Sequence, residues 1–262
     1  MLNVLVTGAS GSIGRAIVRA LSAQGLHVIG TSRRPPVDAP ALLALEVTDA
    51  ASVARCVADF TARQGPVDVL VNNAGYDLYG ALEETSWEEF VAQIDTNFFG
   101  AVRMTQAVLP AMRAKGGGRI VNISSLGGLV GLPMNSAYAA SKFALEGWAE
   151  SLRLELLPDR MFVSLIEPPA VATDTLDRSI REVAAAGHPL AARRRKMVEL
   201  MRAEGRASPV TPEQVAAAVL RAATEPDPPL RYPVGSQARW IPRLKQLLPQ
   251  RSFERSLRGR WP

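Results

Sequence analysis

Short apolar runs alternate with amphipathic stretches of helical period from the first residue to about Pro168. Leu2–Val6 predicts a buried strand and Ile13–Gln24 a helix that stops at Gly25. Val28–Thr31 and Leu42–Val47 predict the second and third strands, and Asp49 caps a helix through Arg63. Val67–Val71 predicts the fourth strand. A helix over about Asp95–Ala114 ends at the glycines 116–118, and Ile120–Ile123 follows as the fifth strand. The next helix runs to about Leu157, where Pro158 stops it, and Phe162–Ile166 is the sixth strand. Strands that are apolar throughout, rather than alternating, are buried on both faces. Their alternation with helices predicts an α/β fold with a doubly wound parallel sheet, in three α/β/α layers.

Beyond Pro168 the pattern changes. Thr173–Gly205 reads as helical, charged and strandless, so the stretch 173–208 is expected to form a helical lid over the carboxyl ends of the strands. Thr211–Thr224 predicts another helix, broken by Pro226, Pro228 and Pro229, and Tyr232–Val234 a last strand. The tail over 239–262 is amphipathic and basic. With 262 residues and 47% hydrophobic content, the chain suits a single domain over 1–262 with a substantial core.

Composition narrows the chemistry. Cys56 is the lone cysteine, which rules out an internal disulfide, and His27 and His188 are far apart, so no metal site is expected. The N-terminus has no basic and apolar leader pattern, and no apolar run reaches membrane-spanning length, so a cytoplasmic protein is expected. The net charge of +5 owes much to Arg193–Lys196 and to the tail from Arg239 to Arg260. These blocks lack interleaved aromatic residues and any nucleic-acid-binding motif, so no nucleic-acid partner is expected. Trp240, Ile241, Leu244, Leu247 and Leu248 in the tail could meet an anionic membrane. A helix packed on the domain or at a subunit interface explains them better.

Two motifs carry the candidate chemistry. In YAASK, Tyr138 and Lys142 are four residues apart, on one face of a helix. An ammonium there favours the phenolate, and lowering a tyrosine from about 10 to neutrality corresponds to roughly 4 kcal/mol. Such a tyrosine is suited to general acid–base work, with the Ser125 hydroxyl as a second hydrogen-bonding group. The second motif, TGASGSIG, follows the first strand and opens the first helix. Gly8 permits a tight turn, Gly11 or Ser12 a close backbone approach, and Gly14 close packing of helix on strand. This is the pattern of a Rossmann-like dinucleotide site, with a pyrophosphate at the helix N-terminus. The second strand ends in Thr31, Ser32, Arg33 and Arg34 with no carboxylate, and Asp38 is displaced by Pro35 and Pro36. A guanidinium grips a 2′-phosphate that a carboxylate would repel, so NADP(H) is expected, held by Arg33 with help from Ser32.

With NNAG at Asn72–Gly75 and Asn97 standing between these motifs, the chain resembles the compact short-chain dehydrogenase/reductase family over roughly residues 2–175. The stretch from Ser125 through YAASK to Leu152 is similar to the 17β-hydroxysteroid and retinol dehydrogenase branch. The resemblance implies that Tyr138 exchanges a proton with the carbonyl oxygen and Ser125 hydrogen-bonds that oxygen. It also implies that Lys142 binds nicotinamide-ribose hydroxyls and Asn97 holds a water linking Lys142 to solvent. Cofactor contacts would come from Gly8, Ser10, Gly11, Ser12, Ile13, Gly14, Asn73, Ala74, Gly75, Pro168, Val171 and Thr173, with Glu46 and Val47 near the adenine. A lipophilic ketone or aldehyde, interconverted with its alcohol, is the implied substrate, and a homodimer or homotetramer built on the helices of Asn97 and Tyr138 the implied assembly.

Three positions depart from the family pattern. Ser12 stands where compact members usually have glycine, and TGASGSIG also fits the TGxxGxxG of extended, epimerase-like members; chain length and NNAG fit the compact kind. Pro168-Pro169 replaces Pro-Gly, and Glu46 replaces an aspartate. An epimerase or dehydratase with a tightly held cofactor, or an NADP-binding regulator without turnover, are the alternatives. The substrate pocket is expected between Leu129–Asn135, Tyr76–Tyr79 and the chain after Thr173, with Leu129, Leu132, Met134, Trp148 and Leu176 as apolar candidates, Trp148 reading more often as helix packing. His188 is expected in the lid loop.

Overall fold

The computed structural model describes residues 1–36, 41–174, 179–185 and 187–258. Seven strands form one parallel sheet: β1 (Asn3–Val6), β2 (His27–Ser32), β3 (Leu42–Ala44), β4 (Val69–Asn72), β6 (Gly118–Ile123), β7 (Met161–Glu167) and β9 (Arg231–Pro233). Their spatial order is β3-β2-β1-β4-β6-β7-β9. From β1 the chain winds outward through β2 to β3, then returns to the other side of β1 as β4. The strand order therefore reverses between β1 and β4, and that reversal opens a crevice at their carboxyl ends.

Alternate residues of each strand feed opposite cores. Val4 and Val6 of β1, Val69 and Val71 of β4 and Val121 of β6 pack on one face with α1 (Ser12–Ala23) and α7 (Pro212–Thr224). Leu5, Leu70, Ile120, Val163 and Leu165 pack on the other, under α2 (Ala50–Gln64), α4 (Gly100–Ala114) and α5 (Ser136–Leu156). Burial on both faces is why the strands read as unbroken apolar runs. The caps follow local chemistry: Asp49 accepts from the Ala51 amide at 2.8 Å, and Thr211 and Gln214 form a reciprocal capping box.

Three features differ from the sequence expectation. The helix expected from Asp95 starts earlier, as α3 (Trp87–Ile94), capped by Ser86 and Glu89. It continues through a π-turn, Asp95–Phe99, into α4. The stretch expected to be strandless holds β8 (Ile180–Glu182), which pairs in parallel with β5 (Asp77–Tyr79) in a second, two-stranded sheet. Strands this short carry too few residues to show a period. The third strand ends at Ala44 rather than Val47. The remaining helices are α6 (Ala191–Arg206), α8 (Gly235–Leu247) and α9 (Gln250–Arg258). Among the described residues, no helix is long and apolar enough to cross a membrane.

The far edge of the sheet is pinned by charge. Arg231 of β9 forms ion pairs with Glu146 of α5, with Glu167 at the end of β7 at 2.5 Å, and with Glu150 at 2.5 Å. Glu146 and Glu167 are buried, and burial raises both carboxyls, Glu167 to about 7. Arg231→Met leaves both without their cation, which should cost about 3–5 kcal/mol at pH 8. Arg231 lowers both carboxyls in the wild-type fold, so without it they bind protons more tightly still and the deficit should shrink as pH falls to 5. Urea denaturation of both proteins at the two pH values checks this.

Candidate active site

The crevice between β1 and β4 is stitched by side chains of both motifs. The Thr7 hydroxyl accepts from the amides of Asn73 and Ala74, each at 2.9 Å, and the Asn73 amide group donates to the carbonyls of Thr7 at 2.9 Å and Gly8 at 3.1 Å. These bonds leave almost no room in the loop. Gly8 has φ +65, and a Cβ there would lie 2.9 Å from Ala74 Cα; one on Gly14 would lie 2.5 Å from the Gly8 carbonyl oxygen. Glycine is required at both positions. A carboxylate reaches the N-terminus of α1: Asp174 accepts from the Ser12 hydroxyl and from Arg15 Nη2 at 2.7 and 2.9 Å. The helix dipole favours a negative group at that end.

The expected cofactor residues converge on this crevice. Gly8, Ser10 to Gly14, Ser32, Arg33, Glu46, Val47, Asn73 to Gly75 and Thr173 line one cleft of about 620 Å³. Pro168 and Val171 instead line an adjoining cavity of about 260 Å³, together with Ser125, Tyr138 and Lys142. Ile13, Asn73, Gly75, Tyr76 and Thr173 border both spaces, so the two are continuous. Arg33 is exposed at the end of β2, while the Glu46 carboxylate turns toward Thr48, accepting from its hydroxyl at 3.0 Å. The cleft's size and its tight glycine turn fit a dinucleotide, while Asp38 lies outside the described residues.

The candidate catalytic residues come from three elements. Ser125 follows β6 and starts a tight turn, its hydroxyl accepting from the Gly127 amide at 3.0 Å. Tyr138 and Lys142 project from one face of α5, with Lys142 Nζ 5.8 Å from the Tyr138 ring centroid. The buried Lys142 ammonium donates to the Ile123 carbonyl at 2.8 Å. Asn97 lies in the π-turn, a geometry often found at functional sites. Its side chain accepts from the Tyr76 amide at 3.1 Å and donates to the Tyr76 carbonyl at 2.9 Å and the Ser141 hydroxyl at 3.2 Å. Asn97 and Lys142 share a small cavity of about 10 Å³, close to the least volume that holds one water.

The electrostatics differ from the sequence expectation. Burial pushes the Tyr138 phenol above its ordinary value, the Asp77 charge adds to that rise, and a hydrogen bond with Ser125 opposes it. Burial also lowers Lys142 to about 8, against the pull of Asp77 and Glu146. Helical spacing alone does not register desolvation, which outweighs the attraction expected between the pair.

The cavity also corrects the expected pocket wall. Leu132 lines it, but Trp148 packs edge-on against Phe98 at 6.1 Å, and Met134 packs beside the cluster of Tyr79, Ile180 and Met197. Leu129 is not on the wall, and Leu176 lies outside the described residues. His188 accepts from the Leu190 amide at 3.3 Å, away from the cavity. Asp77 falls in the expected Tyr76–Tyr79 wall without having been given a role, and sequence reasoning missed Ile180, Met201, Glu204 and Ile241. A charged residue two positions after NNAG was the one visible sign of Asp77.

The chain is similar to known proteins over most of its length. The family model described as "short chain dehydrogenase" matches residues 2–183. A 3-ketodihydrosphingosine reductase of Bacteroides thetaiotaomicron is 38% identical, covering 97% of this chain and 96% of its own. Human retinol dehydrogenase 8 is 49% identical over 55% of this chain and 46% of its own. The crystal structure of a short-chain dehydrogenase from Streptomyces avermitilis superposes with TM-score 0.82 at 35% identity, covering 99% of both chains.

The Lys142 environment yields a stability prediction. Its folded pKa, about 8, lies below the ordinary 10.5. Between those values the unfolded chain keeps a proton that the folded protein releases, so stability should rise with pH across that window, by about 3 kcal/mol from this group. Lys142→Met should lack that rise and be the more stable protein, relative to wild type, at pH 8 than at pH 10.5. Urea denaturation at both pH values checks the difference.

Proposed function

The chain belongs to the short-chain dehydrogenase family, and on that premise we propose that it is an NADP(H)-dependent oxidoreductase interconverting a lipophilic ketone or aldehyde with its alcohol. The observation that carries this reading is the convergence of Ser125 and Tyr138 on a cavity continuous with the dinucleotide-sized cleft. Apolar walls from Ile13, Val130, Leu132, Ile180 and Met201 support a lipophilic substrate. So do two relatives, named for 3-ketodihydrosphingosine and for retinol.

The nicotinamide, when bound, supplies or accepts hydride at the carbonyl carbon. The TGASGSIG loop, Asn73 to Gly75 and Thr173 would hold the cofactor, with Arg33 and Ser32 on the 2′-phosphate and Glu46 and Val47 near the adenine. Pro168 and Val171, on the shared wall, would border its nicotinamide end. In the reductive direction Tyr138 delivers its phenolic proton to the carbonyl oxygen, and Ser125 donates a hydrogen bond to the same oxygen. Lys142 stabilises the resulting phenolate by its charge and binds the ribose hydroxyls. Asn97 holds the water-sized cavity through which Lys142 exchanges a proton with solvent. For the assembly we favour a homodimer or homotetramer built on α4 and α5, a reading supported by the exposed Phe99, Phe143 and Leu154 along that face.

Two variants test the reading against a panel of ketones and aldehydes, followed by NADPH absorbance with NADH as comparator. Tyr138→Phe should lower kcat by about 10²–10⁴-fold while NADPH still binds, because it removes the proton donor alone. Retained turnover would refute the catalytic assignment. Arg33→Ala should weaken NADPH by about 10–100-fold through loss of a charge-assisted contact, and NADH by far less. Equal losses for the two cofactors would overturn the NADP preference.

A further inference from the structure

We propose that the Asp77 carboxylate selects carbonyl substrates carrying a protonated amine close to the carbonyl carbon, an inference that rests on the reaction assigned above to Ser125 and Tyr138. Asp77 opens β5 and borders the same cavity as Ser125, Tyr138 and Lys142. The surrounding wall is largely apolar, from Val130, Leu132, Ile180 and Met201. A carboxylate in such a wall is costly unless donors or a cation meet it.

The donors that meet it are neutral. Asn135 Nδ2 donates to Asp77 at 2.6 Å, and the Tyr79 hydroxyl hydrogen-bonds to it as well. Among the described residues, the nearest cationic influence on it is Lys142, whose ammonium is bonded to the Ile123 carbonyl. The charge helps keep the buried Lys142 ammonium protonated, but the strand pairing does not need it. Asn135 also donates to the Leu78 carbonyl at 3.1 Å, and the Gly80 amide donates to the Met134 carbonyl at 2.8 Å. These bonds already tie β5 to the segment before α5, and a neutral amide at position 77 would accept from Asn135 equally well.

Nor does proton transfer account for it, because the Asp77 charge opposes ionisation of Tyr138. A cation brought by the substrate resolves both conflicts: it pairs with Asp77 while the carbonyl lies against Tyr138 and Ser125. Among the described residues, Glu204 of α6 also borders the cavity.

The test compares three substrates of equal chain length with NADPH: an alkyl 2-aminoketone, its N-acetyl derivative and the plain ketone. Wild-type kcat/KM should favour the free amine over both others by about tenfold or more. In Asp77→Asn, the loss for the aminoketone should exceed the loss for the plain ketone by about 10–100-fold, bringing the substrate ratio toward one. NADPH binding by fluorescence reports that the variant is folded, and the wild-type ratio decides by itself if it is not. Turnover of the plain ketone with no preference for the amine, or equal losses in the variant, overturns this inference and leaves the reductase reading standing. No turnover of any carbonyl by protein that binds NADPH overturns both.

Discussion

The hydrogen bond from Lys142 Nζ to the Ile123 carbonyl, 2.8 Å long, is the contact on which the rest of the site depends. Ile123 ends β6, and the chain then delivers Ser125; Lys142 lies one turn from Tyr138 on α5. One charge-assisted bond therefore sets the distance between the strand that carries the serine and the helix that carries the tyrosine. Its cost is the burial of an ammonium, seen in the lowering of Lys142 to about 8. An apolar residue at this position would pack more cheaply and would leave the phenol without a cation.

The surroundings compensate for that burial with further polar contacts rather than with solvent. Glu146, one turn beyond Lys142 on α5, accepts from the Ser124 hydroxyl and pairs with Arg231, which also meets Glu167. On the opposite side the π-turn rotates Asn97 into the gap between Tyr76 and Ser141. The Ser141 hydroxyl in turn donates to the Tyr138 carbonyl at 2.6 Å. Buried polar networks hold geometry well when each member is satisfied, because any displacement strands a partner in low dielectric. α5 is thus held at Ser141, Lys142 and Glu146 by groups from β6 and the residue after it, β9 and the π-turn.

Much of this was legible in the chain. The seven-stranded parallel sheet, a family member's phosphate loop and the order of the motifs follow from apolar runs and glycine spacing, both local properties. The crevice residues Gly8, Asn73 and Arg33, far apart in sequence, meet because β1, β2 and β4 are neighbours in the sheet. Other features left weaker traces. β5 and β8 have three residues each, too short for a period to show. The π-turn has no composition of its own. The direction of the Tyr138 shift depends on how much protein surrounds the ring and on Asp77, neither of which helical spacing reports. Leu132 fell on the cavity wall as expected, whereas Trp148 turned toward Phe98, because an aromatic on α5 can serve either side of the helix.

Asp77 brings these charges together. It raises Tyr138 and, despite the Lys142 charge, is itself raised to about 6 by burial, so the cavity holds a phenol less ready to ionise than a free one. Each unit of opposite charge arriving within about 4–6 Å of such a group shifts it by roughly 1–3 pKa units toward the ionised form. A cationic substrate group at Asp77 would offset the part of the Tyr138 rise due to the Asp77 charge, leaving the larger part due to burial, without moving any protein atom. Binding and acid–base readiness then become linked: the phenol ionises more readily when the ligand that needs it is in place. A neutral ketone in the same cavity leaves the Asp77 charge uncompensated, so it would be discriminated against in the chemical step as well as in affinity.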